Sequence, residues 1–450
     1  MTKLDLAIVG GTVVLPGKSI APLNIGISDG RIALLSSGFI DANEEIDATG
    51  RVIIPGLVDQ HFHCWWGFGV ETHEVATRAA ARGGVTTLVE MPLDKPATIT
   101  SVLFREKLAS VGDSYHVDYA FIGGYESGQP DDVDSMVRDG AVAIKIFTGD
   151  VAPPGMFPGT SDAELLDLMR RIKQLGSTLM VHCENAGFVN SETQRVKASG
   201  KTGPAAWSEA RPWFAEVDAV QRIALLARVT GARVIVVHIS TPEAVDVVTE
   251  ARRQGADIWA ETLPHQLCLD LEACGEDTRL KWNPPPRGRQ AVEGLWDRLA
   301  AGDIHSIASD HAPLTKVDGA DIWTQGPGAG NVLEVMLPIV ATEAVRRGIE
   351  LPLVVEALCT NPAKILGLYP RKGVIQVGAD ADLVILQTNG SRVIDEQELE
   401  FHHTNAKWSP YHGRAVTIYP EKTLLRGRVI YEDGKVVGPL GYGKYLRHNP

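Results

Sequence analysis

At 450 residues the chain is long enough for one large domain and a smaller one. Its 44% hydrophobic and 22% charged residues are those of an ordinary globular protein, and no apolar run approaches the roughly 18 residues of a membrane span. A net charge of −13 argues against nucleic acid or an anionic membrane as principal partner, and five scattered cysteines argue against a disulfide framework and for a reducing cytoplasm.

The N-terminus lacks the apolar core of a signal peptide and enters a strand-like pattern at once. Leu6 to Val14 reads as one hairpin-like unit, and Asn24 to Ile32 as another turning at Asp29-Gly30. The apolar run Val52 to Val58 opens a middle region in which strands alternate with amphipathic helices. Expected strands are Val85–Val89, Tyr119–Ile122, Ala143–Phe147, Thr178–His182, Arg233–His238, Asp257–Glu261 and Ile304–Asp310, with helices such as Asp162–Leu175 and Glu216–Thr230 between them. Eight strands alternating with helices point to a (β/α)8 TIM-type barrel over residues 54–364. Both ends are β-rich, with Ala381–Leu386 a strand and Arg428–Val437 a hairpin. Residues 1–53 and 365–450 are therefore read as one composite β-sandwich domain, and the stretch after Gly438 as an arm packing on a neighbouring subunit.

The chemistry starts at His61-Phe62-His63. In a strand, residues i and i+2 point to one side, so H-x-H aims two imidazoles at one point. Lys145 lies inside the apolar run Ala141–Phe147, and lysine is almost never buried unless paired. A lysine snorkelling from the strand end is the plain alternative. A buried amine of lowered pKa can instead react with CO2 to give a carbamate that bridges two metals. His182 and His238 each end an apolar strand, and Asp310 closes the last one, placed as a ligand and general base. In a barrel these strand ends converge on one face. Four imidazoles, one carbamate and one carboxylate suffice for two borderline metals such as Zn2+, with Mn2+ or Co2+ as alternatives.

With these motifs the chain resembles the amidohydrolase superfamily, and within it the cyclic amidases: allantoinase, hydantoinase (dihydropyrimidinase) and dihydroorotase. Val58 to His63 resembles V-D-x-H-x-H, Gly83 to Thr87 G-G-x-T-T, and Val181 to Asn185 V-H-x-E-N. Lys145-Ile146-Phe147 resembles the carboxylated-lysine strand, Glu261 to His265 the E-T-x-P-H segment, and Gly378 to Val384 the G-x-D-A-D-L-V strand. His238-Ile239-Ser240 and Ser309-Asp310-His311 complete the set. Cys64-Trp65-Trp66 lacks the Arg that dihydroorotases use for the substrate carboxylate, and Thr148 follows Lys145 where hydantoinases carry a Tyr. Gly330 to Pro338 and Lys407 to Arg414 are similar to allantoinase segments.

The resemblance implies metal-dependent hydrolysis of a cyclic amide or ureide, allantoinase-like, with hydantoinase or a catabolic lactam or imide hydrolase as alternatives. His61, His63 and Asp310 would hold one metal, His182 and His238 the other, with N6-carboxylysine at Lys145 between them. A hydroxide shared by the metals would attack the ring, with Asp310 as general base and then acid. Substrate contacts are expected from Trp65, Trp66, Thr148, Asn283, Gly330 and Asn331; Asn283, Gly330 and Asn331 read equally as turn or loop residues. His265 reads as core or as support for the ligands, and His402 and His403 as solvent-exposed. A homotetramer is implied by the resemblance alone. Some dihydropyrimidinase relatives are non-catalytic assembly proteins that have lost metal ligands; all six candidates are present here.

Overall fold

Eight parallel strands follow one another in chain order in the computed structural model, which describes residues 3–64, 66–151, 157–326, 328, 330–400 and 408–448. They are β1 (Leu57–Phe62), β2 (Val85–Glu90), β3 (Asp118–Gly124), β4 (Ala143–Phe147), β5 (Thr178–His182), β6 (Arg233–Val236), β7 (Ile258–Thr262) and β8 (Ser306–Ile307). Just past β8 the chain meets β1 again. Asp310 N–H donates to the His61 carbonyl at 2.9 Å, and His63 N–H to the His311 carbonyl at 2.8 Å. This seam closes the sheet into a (β/α)8 barrel. The last strand is shorter than the expected Ile304–Asp310, because the chain beyond Ile307 turns to make the seam.

Alternation along each strand sorts side chains between two cores. Leu57, Leu88, Phe121, Ile144 and Val181 pack outward with the helices. Val58, Val89, Ala120, Ile122, Met180 and Ile235 form the cluster inside the barrel. Phe62 and Ile146 belong to the outer set, so His61, His63 and Lys145 face the other way, into the barrel.

A seven-stranded sheet interleaves the two ends of the chain. It joins Thr12–Leu15, Ser19–Pro22 and Val52–Pro55 to Leu383–Gln387, Tyr419–Leu425, Arg428–Glu432 and Lys435–Val436. A four-stranded sheet of Leu4–Val9, Asn24–Ser28, Arg31–Ser36 and Ala42–Asp47 packs with it around Ile8, Val13, Ile25, Ile53, Leu383 and Leu424. Buried Lys372 ties this region to the barrel, meeting Asp118 at the start of β3 at 2.5 Å and Asp382 at 2.6 Å.

Three expectations are corrected. The run Val52 to Val58 is not one strand: it breaks at Gly56 and changes sheets there. Uniform apolarity hid the break, but a Cβ on Gly56 would stand 2.1 Å from Thr86 Oγ1. Leu6 to Val14 is not a hairpin either; Leu4–Val9 and Thr12–Leu15 join different sheets on either side of Gly10, at φ +75°. The arm after Gly438 packs on its own barrel, with Tyr119 N–H donating to Lys444 O and Leu446 N–H to Tyr119 O.

Candidate active site

Three side chains converge at the seam. His61 Nε2 lies 3.2 Å and His63 Nε2 3.1 Å from Asp310 Oδ1. One donor atom from each lies within 4.8 Å of the others. His61 is fixed from behind: its Nδ1 meets Glu261 Oε1 at 2.8 Å, and Gln60 Nε2 donates to Glu261 Oε2 at 2.6 Å. Burial opposes charge on His61, yet Asp310 and Glu261 together push its pKa up to about 9. Burial dominates at His63, whose pKa falls to about 4. Asp310 is also desolvated, but His61 and His63 hold its carboxyl well below the usual carboxylate range. It occupies left-handed backbone, φ +45°, uncommon for a residue with a side chain. Asp59 braces the turn by accepting from Ser309 N–H at 3.0 Å.

A second pair stands beside the first. His182 Nδ1 lies 2.9 Å from His238 Nε2, and the His61 and His238 ring centroids are 5.6 Å apart. His238 lies two residues beyond β6, at φ +44°. Its N–H donates to Glu261 Oε1 at 3.1 Å, so one carboxylate steadies both groups. His182 Nε2 meets Glu184 at 2.7 Å, and Arg211 pairs with Glu184 in turn. Burial lowers the pKa of both rings and makes them neutral donors. Lys145 is 2% exposed, and among the described residues no carboxylate reaches ion-pair distance of its amine. Burial lowers its pKa to about 8, with Asp310 and Glu261 pulling the other way.

Residues 52–416 match the amidohydrolase family. The chain belongs to the amidohydrolase family. An allantoinase of Escherichia coli is 36% identical over 458 residues, covering 98% of this chain and 98% of its own length. An L-hydantoinase of Paenarthrobacter aurescens is 34% identical over 453 residues, covering 98% of this chain and 97% of its own. The solved structure of L-hydantoinase (dihydropyrimidinase) from Arthrobacter aurescens superposes with a TM-score of 0.91 at 32% identity, over 99% of this chain and all of that one.

The donor set of this amidohydrolase fits divalent metals. Imidazole nitrogens and one carboxylate are borderline donors, and neutral imidazole nitrogens facing each other at 2.9 Å repel unless a proton or cation lies between them. The other expected site residues are less uniform. Trp65 lies outside the described residues, as do His402, His403 and Lys407. Trp66 is half-buried, its carbonyl accepting from Lys95 N–H. Thr148 is buried, with its hydroxyl within 3.2 Å of the carbonyls of His182 and Glu184 and of Glu184 N–H, so it is engaged with backbone. Asn283 is half-buried, and among the described residues its Oδ1 has no hydrogen-bond partner. Gly330 takes φ +76° and bridges Ala312, while the Asn331 side chain donates to Trp408 O. The His265 ring packs tilted against Trp282, with centroids 4.1 Å and planes 40° apart, and burial lowers its pKa to about 3. Sequence reasoning gave Glu261, Glu184 and Arg211 no role; the E-T-x-P-H and V-H-x-E-N motifs flagged the first two.

Among the described residues no helix is long and apolar enough to cross a membrane.

Proposed function

We propose that the chain hydrolyses a C–N bond of a cyclic amide or ureide, in the manner of an allantoinase. The observation that carries this reading is the convergence of His61, His63, Asp310, His182 and His238 beside a buried Lys145 that no carboxylate among the described residues pairs. We assign His61, His63 and Asp310 to one divalent metal and His182 and His238 to a second, both most simply Zn2+, with N6-carboxylated Lys145 shared. Bound there, the metals would polarise the ring carbonyl and make a hydroxide nucleophile available near neutral pH.

The chain's own residues do the rest. Asp310 is 14% exposed on its side chain, which leaves it reachable by substrate. It takes the proton released as water adds to the carbonyl carbon, then passes it to the ring nitrogen as the C–N bond breaks. The opened product carries one carboxyl and the protonated leaving nitrogen, which is a ureido N–H from a ureide, an amide N–H from an imide and an amine from a lactam. Glu261 and Glu184 hold His61 and His182 in fixed orientations, a role worth about 10–100-fold in metal affinity. Trp66, Asn283, Gly330 and Asn331, with Trp65, are assigned to the ring.

A hydantoinase reading is supported by the L-hydantoinase relative, which covers the same 98% of this chain as the allantoinase. A panel of allantoin, hydantoin, dihydrouracil and cyclic imides, assayed for loss of the ring amide with metal content measured in parallel, decides between them. Metal-loaded protein that opens none of these rings would overturn the proposal.

We divide the chain into a barrel of residues 54–364 and a β domain of 1–53 with 365–450, the strand Val52–Pro55 of the β domain running two residues past the first boundary. We further infer a homotetramer in the cytoplasm; the five cysteines are all free, which supports a reducing compartment.

A further inference from the structure

His311 follows Asp310 directly, yet the proposed chemistry gives it no task. It is fully buried, and all of its polar atoms are engaged. Its N–H donates to Ser309 Oγ at 3.0 Å, and its carbonyl accepts from His63 N–H at 2.8 Å. Its ring stacks on Phe62, between His61 and His63, with centroids 5.7 Å apart and planes 24° apart. Nδ1 accepts from Val332 N–H at 3.2 Å, which leaves the ring proton on Nε2. That proton is directed at Glu71, whose carboxylate lies 3.0 Å away.

The two partners belong to different loops. Glu71 sits in the segment after β1 that carries Trp66. Val332 follows Gly330 and Asn331 in the segment after β8. These segments hold most of the side chains assigned to the ring. His311 bonds to both, and its backbone is part of the seam that brings His61, His63 and Asp310 together. A neutral imidazole suits the position because it accepts on one side and donates on the other at a fixed separation.

We propose that Glu71 and His311 form a positioning latch that sets the two substrate-side loops against each other and so determines which ring size fits. This rests on the cyclic-amide reading for its substrate but not for its geometry. A hydrogen bond between two buried side chains is short-range and directional, so its loss is expected to move the loops it joins rather than the ligands. The class of substrate selected is a five- or six-membered ring bearing an amide N–H and C=O.

The test uses the metal-loaded full chain and compares Glu71→Ala with Glu71→Gln, which keeps an acceptor for the His311 N–H. In Glu71→Ala, the ratio of kcat/KM between allantoin or hydantoin and dihydrouracil should shift by about tenfold, carried mainly by KM. Metal content should hold, and amide hydrogen exchange should rise together in residues 64–72 and 330–333. Glu71→Gln should restore both the ratio and the exchange pattern. An equal loss on every ring, loss of metal, or faster exchange confined to 64–72 would overturn the latch. If the wild-type chain opens none of these rings, the parent reading fails, and the exchange experiment alone decides the latch by the same criterion.

Discussion

Two fully buried lysines show how differently one residue type can be used. Lys372, where the barrel meets the β domain, is surrounded by Asp118, Asp380 and Asp382 at 2.5 to 3.0 Å. Burial works against its charge, but the three carboxylates outweigh that and push its pKa up. Lys145, inside the barrel, is as deeply buried and has no such company, and burial pulls its pKa down to about 8. The first lysine is a permanent cation that staples two regions together. The second is an amine held close to neutrality beside five metal-type donors. A buried group with its charge fully matched is structural; one left unmatched is available for chemistry.

The sharpest break in this comparison comes from Lys145→Ala. It should lower kcat by on the order of 10³ or more and reduce metal content, while unfolding of the metal-free protein should respond only to the cavity left, since among the described residues no ion pair is lost. Partial rescue by a short added carboxylate would support the carbamate; full activity without rescue would remove Lys145 from the site. Lys372→Met should do the reverse. Asp118 would keep Arg426 and Asp380 would keep Arg371, but buried Asp382 would lose its cation, which should cost about 3–5 kcal/mol in denaturant unfolding while the folded fraction keeps its kcat.

Glu261→Gln is expected to weaken metal binding by about 10–100-fold in a competition titration, because Glu261 contacts both His61 and the His238 backbone. The smallest expected effect concerns pH. Carbamate forms only from neutral amine, and a pKa lowered to about 8 makes that form dominant above pH 8 instead of above the ordinary lysine value. Reactivation of metal-free protein with Zn2+ at fixed dissolved CO2 should rise with pH and level off above about 8. A rise continuing to the ordinary lysine range would place Lys145 in water-like surroundings.

Much of the site was legible because strand alternation is a local rule. H-x-H, Lys145 between Ile144 and Ile146, and His182 after Val181 each declare which way a side chain points once the strand is granted. The errors lay where chain direction changes within a run of uniform polarity. Gly56 splits an unbroken apolar stretch, and Gly10 sends adjacent strands to separate sheets; no periodicity marks either event. Thr148 shows another limit. Its type and position fitted a role at the substrate, but its hydroxyl is engaged with the backbone around His182 and Glu184.

The sequence alone pointed to the order of the barrel strands, the (β/α)8 class and the candidate donor residues, because local patterning and residue chemistry carry that information. Only the tertiary structure decided which donors meet. Asp310 is 247 residues past His63 in the numbering, and their 3.1 Å contact exists because β8 closes against β1. The braces at Glu261, the engagement of Thr148 and the Glu71–His311 contact are likewise products of that closure. They depend on distances across the barrel; a motif along the chain can mark Glu261 but not the partners it meets.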